Sequence, residues 1–383
     1  IGGRTEYVTI EEAEDGLDVV TTIDTDLQDI AEKALRQQLG IIDGEWGCCI
    51  LMETHSGEVK AIVNLDRTSD GTYCEMKNHA VTRVEPGSTF KTIAMMAALD
   101  DGKADIDDTV RVYKDGWTYI KVRHKDAHPH DTVYTLRSAL AVSSNIAMAK
   151  LITHAYEGSA KKFVNRIGKM GLLDSVYCEI PGAQQNRIDV PRDTVTLSKM
   201  SYGYSVEMSP MQMMMFYNAI ANDGKMIRPI LVKEIQQNGE TVERYSTETV
   251  KSSICSSSTL RDIQGALHDV VWDNRLGTAS VNPWGRRKAQ SNLVHIAGKT
   301  GTAQLLVNGR YTSNRHRLTF VGYFPEEDPQ YTCICVINDP SKRGTYDAGM
   351  DCGTVVRKIA EKTMASTGCY VFDKEGNKVL EKR

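Results

Sequence analysis

A serine and a lysine lie three residues apart at the start of an apolar segment. The pattern predicts a helix from Ser88 to about Asp100, apolar nearly all round after Lys91. Residues three apart share one face of a helix, and a buried ammonium group needs a partner or a task. The pair could be a nucleophile and its base, because a serine hydroxyl needs a neighbouring group to take its proton. By itself, however, Ser-x-x-Lys more often marks a helix-capping serine beside a lysine that reaches solvent.

A second polar motif, Ser-Ser-Asn at residues 143–145, separates two segments with helical patterns. The motif is also typical of an ordinary helix cap. As a functional alternative, the Ser143 hydroxyl would relay protons between Lys91 and a leaving amine. Asn145 would then bind the lysine or a substrate amide.

A third motif, Lys-Thr-Gly-Thr at residues 299–302, lies in a segment that the pattern predicts to be a strand. A glycine inside a regular strand often marks the close approach of a ligand. Lys299 and the hydroxyls of Thr300 and Thr302 would then face a carboxylate. Gly-Lys-Thr also ends phosphate-binding loops, but position 293 is leucine where such a loop needs glycine, and no helix follows. We therefore exclude a phosphate loop.

Strands near both ends of the chain, with helices between them, must position these motifs. The patterns predict strands over 17–23, 294–305, 317–324 and 331–338, a hairpin of 48–52 with 59–63, a helix over 26–39 capped by Asp24 or Thr25, and a last helix over 352–365. This order favours one sheet assembled from distant parts of the chain. A mostly helical subdomain, about 104–290, would be inserted into it.

The composition of the chain bounds its function class. With 383 residues and 41% hydrophobic content it can bury a large core, and a net charge of −4 with mixed signs gives no indication of nucleic-acid binding. The nine cysteines cannot all pair and contain no Cys-x-x-Cys, so most are expected to be buried free thiols. His124, His128 and His130 match no ligand pattern and are expected in a solvated loop. No metal or organic cofactor is expected.

In the order Ser-x-x-Lys, Ser-x-Asn, Lys-Thr-Gly, the motifs resemble those of penicillin-binding proteins and serine β-lactamases. Other segments resemble class B penicillin-binding proteins over about residues 16–365, and Glu85 favours the division branch. These segments are 16–19, 22–28, 78–91, 202–203, 209–212, 217–222, 277–279 and 299–304. The chain departs from the family pattern at residues 345–352. The resemblance implies an α/β (α+β) fold with a central, mainly antiparallel sheet flanked by helices.

The resemblance also implies a role for each motif residue. Ser88 would be the acylated nucleophile and Lys91 its base, while Ser143 and Asn145 complete the proton network. The terminal carboxylate of the substrate would be recognised by Lys299, Thr300, Gly301 and Thr302. The backbone N–H groups of Ser88 and Thr302 would form the oxyanion hole. We expect both lysines to face one cleft, with Lys91 neutral and Lys299 charged.

The implied function is a serine D,D-transpeptidase that cross-links peptidoglycan stem peptides ending in D-Ala-D-Ala, in septal wall synthesis, and that β-lactams acylate. The implied transpeptidase domain is 17–366, between a leader (1–16) and a polar tail (367–383). The domain would work on the periplasmic or outer side, anchored in the cytoplasmic membrane by an N-terminal helix missing from this chain. Division-complex proteins would bind regions outside it. Two alternatives stay open, namely a serine β-lactamase and a non-catalytic β-lactam sensor or division scaffold.

Overall fold

The computed structural model describes residues 16–175, 179–340 and 346–368. The described strands are β1 (Asp18–Thr21), β2 (Trp46–Glu53), β3 (Val59–Arg67), β4 (Tyr73–Cys74), β5 (Thr109–Val112), β6 (Trp117–Tyr119), β7 (Val122–His124), β8 (Thr132–Thr135), β9 (Met226–Ile227), β10 (Val232–Gln237), β11 (Glu240–Arg244), β12 (Thr249–Lys251), β13 (Ala297–Val307), β14 (Arg310–Phe324) and β15 (Tyr331–Asn338). The described α-helices are α1 (Thr25–Ile42), α2 (Phe90–Asp100), α3 (Leu136–Ala141), α4 (Asn145–Ala155), α5 (Ala160–Lys169), α6 (Thr194–Met200), α7 (Pro210–Ala221), α8 (Ser257–Trp272) and α9 (Thr354–Thr367).

The central sheet has six strands in the order β13-β14-β15-β2-β3-β4, and every neighbouring pair is antiparallel. Strands β2 and β15 join the two distant parts of the chain, with Leu51 opposite Cys333. The prediction of one sheet built from both ends is therefore confirmed for these strands. It is wrong for β1, which pairs with β10 in a separate three-stranded sheet.

Helices cover both faces of the central sheet, so its strands are buried on both sides. In β2, Cys48 and Ile50 belong to the core shared with α2 and α7, whereas Cys49 and Leu51 belong to the core shared with α1 and α9. Successive side chains of a strand point to opposite faces, which explains why an unbroken apolar run serves two cores. Of the seven described cysteines, six are buried free thiols and Cys74 is exposed, as expected; Cys178 and Cys369 lie outside the described residues.

Helix α2 lies in the core of the protein and follows directly on the turn that contains Ser88, the predicted nucleophile. Every residue from Phe90 to Leu99 is buried, Lys91 included. The α-helix begins two residues later than predicted, because Gly87–Thr89 form a single 3₁₀ turn before it. Ser88 therefore sits on a tight turn at the mouth of a buried helix rather than within the regular helix.

The middle of the chain contains eight short strands, β5 to β12, besides its helices. The sequence prediction of helices and loops missed them, because strands of two to six residues are too short for a period of two to stand out. None of the described helices is long and apolar enough to cross a membrane. Most of the expected leader and tail, residues 1–15 and 369–383, lies outside the described residues.

Candidate active site

A cleft of about 770 Å³ opens between β13, the start of α2 and the loop that joins α3 to α4. Five of the eight predicted site residues line it, namely Ser88, Ser143, Asn145, Thr300 and Thr302. The other three, Lys91, Lys299 and Gly301, are buried behind its wall. The structure thus brings together residues that are more than two hundred positions apart in the chain.

The Ser88 turn is packed between two neighbours that leave room only for glycine. Gly87 has φ +56°, and a Cβ there would lie 3.0 Å from Ala303 Cβ. A Cβ at Gly203 would lie only 2.0 Å from Gly87 O, and the Gly87 N–H donates to Gly203 O at 3.3 Å. Ser88 itself remains half-exposed in the cleft. Close packing against β13 places the turn beside Thr302, the other predicted donor of the oxyanion hole.

Lys91 is held at the cleft floor by Ser143. Its Nζ donates to the Ser143 backbone oxygen at 2.5 Å and lies 3.0 Å from the Ser143 hydroxyl. Complete burial lowers the pKa of Lys91 to about 7, although the negative charge of Asp126 opposes this effect. A lysine with that pKa is partly neutral at neutral pH and can accept a proton.

Ser143 has a backbone conformation that normally favours glycine. It is left-handed (φ +59°) and follows α3 in a Schellman arrangement, in which the Ser143 N–H donates to Leu140 O and the Ser144 N–H donates to Ala139 O. A non-glycine residue in this conformation costs roughly 1–2 kcal/mol. Such strain is typical of functional positions, which supports the prediction that the Ser143 side chain is needed.

Asn145 is placed differently from one of its two predicted roles. Its Nδ2 donates to Lys125 O at 2.8 Å, so the amide binds the neighbouring loop and not Lys91. The residue lines the cleft, and contact with a substrate amide stays a prediction. Ser144 caps α4, accepting from the Ala147 N–H at 3.0 Å.

On β13, successive residues point in opposite directions. Thr300 and Thr302 point into the cleft, and the Thr300 hydroxyl lies 2.7 Å from that of Thr278. Gly301 faces the other way, where a Cβ would lie 3.0 Å from Thr89 Cγ2 and 3.3 Å from Pro86 O. The close approach predicted at Gly301 is therefore made by the Ser88 turn of the protein itself.

Lys299 lies in surroundings that affect its predicted charge. It is fully buried, and its Nζ donates to Thr300 O at 3.1 Å. Burial lowers the pKa of Lys299 well below its ordinary value, and the charge of Lys91 lowers it further. These surroundings therefore oppose the positive charge that the sequence predicts for Lys299. A substrate carboxylate would raise this pKa by stabilising the charged form.

The sequence analysis missed the aromatic wall at one end of the cleft. Tyr204 OH accepts from the Gln304 N–H at 3.1 Å, and the Tyr204 and Tyr311 rings meet edge to face at 4.9 Å. Tyr311 OH donates to Glu85 at 2.7 Å. Nothing in the sequence pattern marks these contacts, because the tyrosines lie in separate loops and strands.

The expectation of a solvated histidine loop is wrong for His124. This residue is buried, with Nδ1 2.9 Å from Tyr202 OH and Nε2 3.2 Å from Ser198 Oγ. Burial lowers the pKa of His124 to about 4, aided by the charge of Lys199. His128 is exposed and lines the cleft, and His130 is exposed. Among the described residues, no group of three His, Cys, Asp or Glu side chains could hold a metal ion.

The segment that departs from the family pattern forms the other end of the cleft. Asp347 accepts from Lys288 Nζ at 2.9 Å, and Lys288 also donates to Thr278 O at 3.0 Å. A Cβ at Gly349 would lie 2.4 Å from Thr278 O. The exposed Trp284 completes this wall. The unusual sequence therefore still shapes the site.

Comparison with curated proteins gives relatives across most of the chain. PbpC of Pseudomonas aeruginosa, named a probable peptidoglycan D,D-transpeptidase, is 29% identical over 342 residues, which cover 86% of this chain and 55% of that protein. PenA of Neisseria gonorrhoeae, named likewise, is 25% identical over 356 residues, covering 90% and 56%. The chain spans about half the length of these relatives.

Solved structures share the fold. The TP domain of Burkholderia pseudomallei penicillin-binding protein 3 matches with a TM-score of 0.73 at 23% identity, over 91% of this chain and 96% of that one. Penicillin-binding protein 3 of Mycobacterium tuberculosis, solved with ampicillin, matches with a TM-score of 0.81 at 23% identity, over 98% and 84%. The predicted fold class is confirmed. Residues 47–363 match the family model described as penicillin binding protein transpeptidase domain, and the chain, with its three motifs around one cleft, belongs to that family.

Proposed function

We propose that the protein is a serine D,D-transpeptidase that joins peptidoglycan stem peptides through an acyl-enzyme on Ser88. One observation carries the proposal: Lys91, whose pKa burial lowers to about 7, is hydrogen-bonded to Ser143 at the floor of the cleft that Ser88 lines. A nucleophile, a base of suitable pKa and a hydroxyl relay thus occupy one site. The names of the relatives, peptidoglycan D,D-transpeptidases, support the same activity.

In the acylation step, the Ser88 oxygen attacks the carbonyl carbon of the penultimate D-Ala while Lys91 takes the hydroxyl proton. The carbonyl oxygen becomes an oxyanion, for which the N–H groups of Ser88 and Thr302 are the proposed donors. The C–N bond then breaks, and the leaving D-Ala amine takes a proton from Lys91 through the Ser143 hydroxyl. Lys91 returns to its neutral form.

In the deacylation step, the amine of an acceptor stem peptide replaces the departed D-Ala. It attacks the Ser88 ester, loses a proton to the Lys91–Ser143 pair and forms the cross-link. Ser88 recovers its proton when the ester bond breaks. Before acylation, Thr300 and Thr302 would bind the terminal carboxylate of the donor peptide, which would raise the pKa of Lys299 and favour its charged form.

β-Lactams would react at the same serine, since the fused ring system of a penicillin places a strained carbonyl and a carboxylate where the D-Ala-D-Ala terminus places its own. A relative of the same fold is solved with ampicillin, which supports this part of the proposal. We also propose action in septal wall synthesis on the periplasmic or outer side of a membrane-anchored protein, with division proteins bound through other regions.

Intact-protein mass spectrometry after incubation with benzylpenicillin, with and without a chase, tests the activity. A transpeptidase is expected to give one long-lived adduct per chain. An adduct that disappears within minutes would point to a β-lactamase, and no adduct would point to a scaffold. A sensor would also keep its adduct, so a second assay follows the release of D-Ala from a D-Ala-D-Ala peptide with a D-amino-acid acceptor, which a sensor does not support.

A further inference from the structure

The segment His124–Asp126, which runs from the end of β7 into the loop before β8, contacts two separate parts of the site. Asp126 Oδ2 accepts from the Ser144 hydroxyl at 2.8 Å, and Asp126 Oδ1 accepts from the Ile146 N–H at 3.0 Å. The preceding Lys125 O accepts from Asn145 Nδ2. Three hydrogen bonds therefore join this segment to the Ser-Ser-Asn motif and to the first turn of α4.

The same segment reaches the nucleophile from the other side. Buried His124 is hydrogen-bonded to Tyr202 OH. Gly203, which follows Tyr202 in the chain, lies directly against Gly87 in the Ser88 turn. Ser143 has a left-handed backbone at the end of α3, and the residues that follow it enter the first turn of α4. The bonds from Asp126 to Ser144 and Ile146 fix them.

We propose that Asp126 is a positioning residue of the active site, which sets the place of Ser143 and thereby the contact between Ser143 and Lys91. His124 belongs to the same segment and secures the nucleophile turn through Tyr202. The inference rests on the proposed acylation of Ser88. Asp126 sits at the amino end of α4, where a carboxylate is favoured by the free N–H groups.

Asp126 also acts on Lys91 through its charge. Its carboxylate raises the pKa of Lys91 against the larger effect of burial. Two further titratable groups interact with this pair: Lys299 with Lys91, and Tyr134 of β8 with Asp126. Because the Asp126 carboxylate raises the pKa of Lys91, its removal has a predictable sign: Lys91 becomes neutral at lower pH.

The test compares acylation by a chromogenic cephalosporin in wild type and three variants from pH 5 to 9. Asp126→Asn keeps the shape and removes the charge and one acceptor. Ser144→Ala removes the hydroxyl that donates to Asp126 but keeps the charge. Asp131→Asn is the matched control, because Asp131 is an exposed carboxylate of the same loop that accepts only from the Lys114 N–H among the contacts described.

Asp126→Asn is expected to lower the saturating acylation rate about tenfold to a hundredfold, as expected for a displaced catalytic group, with an unchanged half-saturating concentration. The acid limb of its pH profile should move to lower pH. Ser144→Ala should lower the rate without moving the limb, and Asp131→Asn should change neither. The inference is overturned if Asp126→Asn behaves as Asp131→Asn does. It is also overturned if only the half-saturating concentration rises, since that marks a direct substrate contact.

Amide hydrogen exchange gives a second readout that does not depend on acylation. Asp126→Asn should speed exchange at the Ile146 amide, whose acceptor it weakens, while Asp131→Asn should not. Equal exchange in the two variants overturns the inference. A wild-type chain that forms no adduct would instead contradict the proposed function, and the exchange result would still decide the role of Asp126.

Discussion

Gly203 lies so close to Gly87 that no side chain fits between them: a Cβ at position 203 would be 2.0 Å from Gly87 O. Gly203 also has φ +91°, a conformation that L-residues with side chains rarely adopt. The contact connects the loop after α6 with the turn that carries the nucleophile. It explains how a segment far from the cleft motifs sets the place of Ser88.

We expect Gly203→Ala to displace the Ser88 turn and to lower the acylation rate by a factor of ten or more, at about 1.4 kcal/mol per tenfold. Gly239→Ala is the matched control, because Gly239 has a similar φ of +82° and open space around it. Both variants should lose roughly 1–2 kcal/mol of folding stability from backbone strain. Thermal unfolding and stopped-flow acylation measure the two effects. Equal acylation in both variants would show that the contact with Gly87 is unimportant.

Ser88→Ala is expected to abolish the β-lactam adduct, because no other hydroxyl in the cleft is placed on the turn at the start of α2. Peptide mapping of the wild-type adduct should locate it on the peptide that contains Ser88. Ser252→Ala, at an exposed serine before α8, should react as wild type does. Labelling that persists in Ser88→Ala would remove this residue as the nucleophile.

The acylation rate of the wild type should fall as the pH drops through about 7, since Lys91 then takes a proton and no longer accepts one from Ser88. Lys299→Gln should lower the height of this profile and leave its acid limb in place. The pKa of Lys91 is lowered by burial and raised by Asp126, so the loss of Lys299 should not move it. Second-order acylation rates from pH 5 to 10 in wild type and Lys299→Gln measure the height and the acid limb of each profile. An acid limb that moves to higher pH in Lys299→Gln would instead support the charged Lys299 that the sequence predicts.

Lys91→Met should change how folding stability depends on pH. The folded-state pKa of Lys91, about 7, is below its unfolded value, so the unfolded chain binds more protons between these two values. Wild-type stability relative to the variant should therefore rise from pH 7 to about 10, by up to ~1.4 kcal/mol per pH unit, and be flat below. Denaturant unfolding of both proteins gives their free energies of unfolding at each pH. Subtracting the two removes the effect of the buried cysteines, which has the opposite sign and is common to both. Parallel curves would contradict the buried, neutral lysine.

The amino-acid sequence by itself determined the helices and strands that carry the three motifs, together with the main strands of the central sheet. The apolar run after Lys91 predicted a buried helix, and the apolar segments at 48–52, 59–63 and 331–338 predicted strands, all of which the structure contains. The three motifs, in their order, indicated the family. These features are local in the chain or repeat with a short period, so they can be read without knowing what packs against them.

Only the tertiary structure decided which of these residues touch and what state they have. The pKa of Lys91 depends on complete burial and on Asp126, and the lowered pKa of Lys299 depends on burial and on the charge of Lys91. The bond of Asn145 to Lys125, the buried His124 and the contact of Gly203 with Gly87 join residues whose separation in sequence carries no signal. Burial and electrostatic interaction depend on distances in space, which packing of the whole chain sets.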